Sequence, residues 1–202
     1  MAPYEFPAFH TRLTEPYDYY AFGQKYVGGL IDFNTSFLGN RANFDQMAAQ
    51  IAAGENVIVF ANHQTEADPA VWAHMLEAAQ PQLATDVIYV AGDRVVSDPM
   101  CKPFSMGRNL LCVHSKKHMF DDPDTVDAKQ RQNRKTLVTM ARLLNEGGKL
   151  IWIAPSGGRD RYVRPSRDTM RRRRRTRGIG VFLFCFVWFG LVRDDLPCGG
   201  RL

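Results

Sequence analysis

Four short apolar runs, interleaved with helix-patterned segments, constrain this chain more than any other feature. They are Asn56-Val57-Ile58-Val59-Phe60-Ala61, Val87-Ile88-Tyr89-Val90-Ala91, Asn109 to Val113, and Leu150-Ile151-Trp152-Ile153-Ala154. Each is short for a helix and almost wholly apolar, and all but Asn109 to Val113 are rich in β-branched or aromatic residues, the composition of a buried strand. Helical spacing marks the ground between them. Residues 17–53 read as helical, with Tyr26, Val27, Leu30 and Ile31, then Phe44, Met47, Ala48 and Ile51, recurring at turn intervals before Gly54. Asp68 followed by Pro69 predicts a helix start, with Asp68 as the cap, running to about Ala79. A longer helix is expected over about 125–146, with Leu137, Met140, Ala141 and Leu144 on one face and Gly147-Gly148 as its stop. Strands alternating with helices predict an α/β fold: a mixed, largely parallel sheet flanked by helices, with chemistry at the strand ends.

Charge divides the chain unevenly. The 202 residues carry 26 basic and 21 acidic side chains. Residues 162–202 hold 10 of the basic and 3 of the acidic ones, leaving 16 against 18 in residues 1–161. The net charge of +5 is therefore a property of the tail, and the body has the balance of an ordinary enzyme domain. Nothing in that body interleaves basic and aromatic residues as a nucleic-acid surface would, and no stretch is apolar enough to span a membrane. The four cysteines, Cys101, Cys112, Cys185 and Cys198, show neither a C-x-x-C spacing nor a companion histidine pattern for zinc, and are expected to be reduced packing residues. The first twenty residues lack the apolar core of a secretory signal.

His63 and Asp68 carry the strongest chemical signal, because they fall between a predicted buried strand and a helix start. A histidine near working pH can take a proton from a hydroxyl, and a carboxylate on its other ring nitrogen fixes the tautomer and steadies the imidazolium. By spacing alone, a capping Asp and a surface His give the same pattern. No G-x-S-x-G elbow offers an enzyme nucleophile. A second signal is cationic. Ser115-Lys116-Lys117-His118 follows the third strand, while Arg159 and Arg161 follow the last, beyond Gly157 and Gly158. Guanidinium forks match phosphate oxygens and lysine adds a point charge. A solvated turn and surface arginines would look the same one residue at a time. Trp72 and Trp152 are expected in the core, His74 packed within its helix, and His10 and His114 carry no recognisable pattern.

From Glu15 to Arg161 the chain resembles the soluble plastid type of glycerol-3-phosphate acyltransferase. The resemblance rests on EPYDYYAFGQ, NHQTEADPA, YVAGDRVVSDPMCKPFSMGRNLLCVHSKKHMFD and LIWIAPSGGRDR. The His-x4-Asp motif of that family falls on His63 and Asp68, and its phosphate-binding residues on Lys117, His118, Arg159 and Arg161. Ala154-Pro155-Ser156-Gly157-Gly158-Arg159 is the plastid variant of the third motif. The resemblance implies transfer of an acyl group from acyl-acyl-carrier-protein or acyl-CoA to the 1-hydroxyl of glycerol 3-phosphate, in the chloroplast stroma, with no metal or bound cofactor. A lysophospholipid acyltransferase would share His63 and Asp68; the plastid form of the third motif weighs against it.

Two departures from the family are expected to matter. Residues 1–53 read as the remnant of a helical N-terminal region, ahead of an incomplete catalytic core over 54–161. From Tyr162 the match stops: Arg171 to Arg175 is an unbroken run, and Gly178 to Val192 is a nearly uniform apolar stretch of 15 residues. This tail has neither strand nor helix periodicity, and local patterning that contradicts the domain before it argues against a native continuation. The alternatives are an inactive truncated fragment and a tail that binds anionic membrane surfaces. Translated non-coding sequence or a frameshift is the expected origin of the tail. Transcript sequencing is expected to give a different reading frame after Arg161, and a spliced message encoding 162–202 in this frame would overturn the explanation.

Overall fold

A computed structural model describes residues 4–157, the side chain of Lys117 excepted. The predicted tail and the Arg159/Arg161 motif lie outside the described residues. All four apolar runs are strands: β2 (Val57–Phe60), β3 (Ile88–Ala91), β4 (Asn109–Cys112) and β5 (Leu150–Ile153). A fifth, β1 (Phe9–His10), precedes them. Their spatial order is β1-β4-β3-β5-β2. The four longer strands are mutually parallel, with Val57 to Phe60 opposite Leu150 to Ile153 and Ile88 to Ala91 opposite Asn109 to Cys112. β1 runs antiparallel to β4, Phe9 facing Leu111. The sheet is thus mixed and largely parallel, as the α/β reading predicts.

Burial on both faces explains the unbroken apolar runs. Every residue of β4 is buried, and so are Leu150, Ile151 and Trp152 of β5. On one face, Ile88, Leu111 and Ile151 pack against Leu143, with Met140 and Leu144 beside it, all from α7 (Val126–Glu146). On the other, Val59, Tyr89, Leu110 and Trp152 meet residues of α1 (Tyr19–Gly28), α2 (Arg41–Ala52), α3 (Asp68–Leu76) and α4 (Pro81–Thr85). Leu111 and Ile151 are fully inaccessible, one step apart across the sheet from β3, and each contributes about 1.5–3 kcal/mol by leaving water. β2 lies at the sheet edge. Its Val59 is sealed while Ile58 and Phe60 stay partly exposed, so this strand alone alternates.

Helix boundaries depart from the sequence reading where backbone geometry intervenes. Residues 17–53 divide into α1 and α2, separated by a non-helical stretch in which Asp32 accepts bonds from Asn34, Thr35 and Ser36. Such local side-chain and backbone bonding competes with helix formation. Two further short helices, α5 (Asp93–Ser97) and α6 (Lys102–Met106), fill the connection from β3 to β4. The stop after α7 is as expected: Gly147 and Gly148 both have positive φ. A Cβ on Gly147 would stand 2.5 Å from the carbonyl oxygen of Gly54, whereas the Gly148 amide donates to that oxygen at 2.9 Å. Glycine is required there by close approach as well as by conformation.

β1 was not foreseen, because two residues in a Pro- and aromatic-rich segment carry no periodicity. His10 anchors it. The ring is buried, its Nδ1 accepts from the Tyr4 hydroxyl at 2.9 Å, and its Nε2 donates to the Met106 carbonyl at 3.1 Å. The neutral ring satisfies both bonds, and burial holds the pKa below its ordinary value, partly opposed by the Met106 carbonyl. The unfolded chain takes up a proton as pH falls through about 6.5, while the native ring resists it, so stability falls as pH falls. Thermal melts from pH 8 to pH 5 should show a smaller loss in His10→Gln than in the parent chain. Equal losses would mean that His10 does not contribute to acid sensitivity.

Candidate active site

Parallel pairing sends the ends of β2, β5, β3 and β4 to one edge of the sheet, where ligands of open α/β folds bind. The segments that leave this edge contain His63, Ser156-Gly157, Asp93, and His114 through His118, in the order in which their strands stand. The amide of Ala61 still donates to Ile153 at 3.0 Å, so the first of these segments departs from a fixed point one strand from Ser156.

Asp68 organises the turn between β2 and α3. Its Oδ1 accepts from the Thr65 amide at 3.0 Å, and its Oδ2 accepts from the Gln64 amide at 2.9 Å and from Nδ1 of His63 at 2.8 Å. The sequence predicts Asp68 as the helix cap. Asp68 is instead the first residue of α3, Ala67 takes the cap position, and the carboxylate points back into the turn that precedes the helix. Three donors converge on one carboxylate, and the bond to Nδ1 fixes the imidazole in direction. Because Nδ1 donates, the lone pair of the neutral ring resides on Nε2. That nitrogen is 3.9 Å from the Glu66 carboxylate, which is beyond hydrogen-bond length.

Burial supports the pair without closing it off. The side chains of His63 and Asp68 are 19% and 10% exposed, so the carboxylate is nearly sealed while the imidazole keeps access to solvent. Trp152 presents itself edge-on to the His63 ring at 6.1 Å between centroids, and Tyr89 packs on Trp152 in turn at 5.8 Å. The Tyr89 hydroxyl donates to the carbonyl of Pro69, next to Asp68, at 3.3 Å. Burial, above all, raises the Tyr89 pKa far above the ordinary range, so it stays a donor. Trp152, expected only as core, thus also braces the imidazole.

Of the predicted cations, Lys117 and His118 lie in a single 3-10 turn, Lys116–His118, just beyond β4. Nδ1 of His118 meets the Asp121 carboxylate at 2.7 Å, and both side chains are more than half exposed. β4 is three strand positions from β2, roughly 14 Å at ordinary strand spacing, with the segment leading from β5 to Arg159 departing between them. Sequence reasoning missed a second histidine–carboxylate pair at this edge. His114 Nδ1 is hydrogen-bonded to Asp93, and its backbone is held on both sides by the Asn133 amide. The signal that could have revealed it is register: Asp93 and His114 each follow by two residues the paired strand ends Ala91 and Cys112. Cys112 itself is buried, with its thiol pushed up to about 11, as befits a packing residue. Among the described residues, no helix is long and apolar enough to cross a membrane.

The sequence profile of the Acyltransferase family matches residues 42–180, and the chain belongs to that family. Among characterised relatives, the chloroplastic glycerol-3-phosphate acyltransferase of Spinacia oleracea is 57% identical over 159 residues, 79% of this chain and 34% of that protein. The chloroplastic enzymes of Pisum sativum and Arabidopsis thaliana are 55% and 54% identical over 80% and 79% of this chain, and 35% of each enzyme is covered. The chain spans about a third of the length of these relatives. The resemblance to the plastid glycerol-3-phosphate acyltransferases is therefore shown by direct comparison, over about four-fifths of the chain.

The turn around Asp68 is testable without any substrate. Amide exchange at Gln64 and Thr65 should accelerate at least tenfold in Asp68→Ala, since each loses a charge-assisted bond of about 1.5–3 kcal/mol. Unchanged protection would show that the turn is held by something other than the carboxylate.

Proposed function

We propose that this chain carries the catalytic core, residues 54–161, of a plastid glycerol-3-phosphate 1-O-acyltransferase, with His63 as general base and Asp68 as its positioning partner. The observation that carries the reading is the bond from His63 Nδ1 to a carboxylate already anchored by two backbone amides. That arrangement leaves Nε2 basic and fixed in direction. The substrate's 1-hydroxyl gives its proton to Nε2 as its oxygen attacks the thioester carbonyl of acyl-acyl-carrier-protein or acyl-CoA. The new C–O bond forms, the C–S bond breaks, and the departing sulfur takes the proton back from the imidazolium. The imidazole ends neutral, and no covalent enzyme intermediate is needed.

Lys117, His118, Arg159 and Arg161 are proposed to bind the phosphate, with the plastid stroma as the place of action. Support comes from sequence position: two of these residues follow β4, two follow β5, and both strands end at the edge that holds His63. A dianionic phosphate held by cations there would bring the far hydroxyl of a three-carbon substrate toward the base.

The test is acyl transfer to glycerol 3-phosphate by the purified 202-residue chain, corrected for thioester hydrolysis. Removing a general base costs about 10²- to 10⁴-fold, so His63→Ala should fall by that amount with its fold intact. Asp68→Ala should also fall. Transfer that survives in His63→Ala would overturn the assignment of the base. No transfer by the parent chain would overturn the proposal that this chain is itself an active enzyme.

A further inference from the structure

The segment that carries Lys117 and His118 is fixed with unusual thoroughness for a surface turn. Parallel pairing of β3 and β4 continues one bond past the strands, from the Val113 amide to the Ala91 carbonyl at 2.8 Å. The same register then brings Asp93 opposite His114. One oxygen of Asp93 takes the His114 Nδ1 bond and the other accepts from the Ser115 amide at 3.2 Å. From the opposite side, α7 contributes Asn133. Its Oδ1 accepts from the His114 amide at 2.7 Å and its Nδ2 donates to the His114 carbonyl at 3.0 Å. One turn earlier on α7, Lys129 donates to the His118 carbonyl at 3.3 Å, and Met119 is buried just beyond.

We infer that Asp93 is a positioning residue for phosphomonoester recognition: through the His114 ring and the Ser115 amide, with Asn133 as counter-clamp, it sets the direction in which the 116–118 turn presents its cations. This rests on the proposed role of Lys117 and His118 as phosphate ligands. Neither Asp93 nor Asn133 is itself a ligand. A carboxylate in an anion site would repel the substrate, and Asp93 is instead engaged by two donors of the turn, which hold it as part of the scaffold. The value of such a clamp is preorganisation. A turn in which Lys116 and His118 are exposed would otherwise lose side-chain and backbone freedom on binding, at the expense of affinity.

The experiment is calorimetric titration of glycerol 3-phosphate into the full chain, with melting temperature and amide exchange measured on the same proteins. Asp93→Asn should bind at least tenfold more weakly and show faster exchange at Ser115, with its melting temperature within about 3 °C of the parent, a shift worth less than about 1 kcal/mol. Asn133→Ala, which frees the same turn from the helix side, should weaken binding similarly and serves if Asp93→Asn does not fold. Asp93→Glu, which keeps the charge and both acceptors, should recover part of the affinity. Asp86→Asn, a carboxylate at the opposite end of β3, should bind as the parent does. If Lys117→Met weakens binding but Asp93→Asn and Asn133→Ala do not, the positioning role is overturned and the phosphate reading stands. If Lys117→Met binds as the parent does, or the parent does not bind, the phosphate reading fails and this inference fails with it.

Discussion

Parallel registration of four short strands is the constraint on which everything else in this molecule depends. Parallel strands need a crossover between them, so each returns to the same side of the sheet before it begins. The segments after β2, β3, β4 and β5 consequently leave from one edge although Ile153 stands 93 positions after Phe60. That edge is polar and irregular, whereas the strands themselves are almost wholly apolar, because the central strands are covered on both faces and only edge strand β2 leaves Ile58 and Phe60 partly in water. The division of labour between an inert interior and a chemical rim follows from the direction of hydrogen bonding alone.

At the rim, one design recurs twice. A carboxylate at the start of a helix turns back, accepts from backbone amides of a loop, and holds a histidine by Nδ1. Asp68 does so for Gln64, Thr65 and His63, and Asp93 for Ser115 and His114. The two differ in reach. Asp68 acts within six residues of chain and is nearly sealed. Asp93 acts across a strand pairing, on residues 21 and 22 positions away, and is more exposed. The first arrangement survives on local geometry, whereas the second exists only while β3 and β4 keep their register. Coupling of this kind makes the precision of a surface turn a property of the core beneath it.

The aromatic layer under the rim links the two functions of the fold. Trp152 is part of the main core and touches the His63 ring edge-on, Tyr89 supports Trp152 and donates to the backbone beside Asp68, and both come from adjacent central strands. An imidazole braced by packed aromatics has few rotamers open to it, and the bond from Nδ1 to Asp68 narrows them further.

By itself, the sequence determined what is local. The β-branched runs are strands, Gly147-Gly148 ends the long helix, and His63 meets Asp68, because each of these follows from neighbours a few residues apart whose conformational preferences add. One local error, taking Asp68 as the helix cap, arose because a carboxylate at a helix start can turn toward the helix or toward the preceding loop, and spacing does not say which; another, reading 17–53 as helical throughout, overlooked the local bonding of Asp32. Tertiary structure alone decided what depends on register between distant segments. It inserted β5 between β2 and β3, recruited Phe9–His10 as an antiparallel edge strand, set Trp152 against His63, and brought Asp93 to His114. Those choices are made by packing two apolar faces at once, and no single segment carries the information that selects among strand orders.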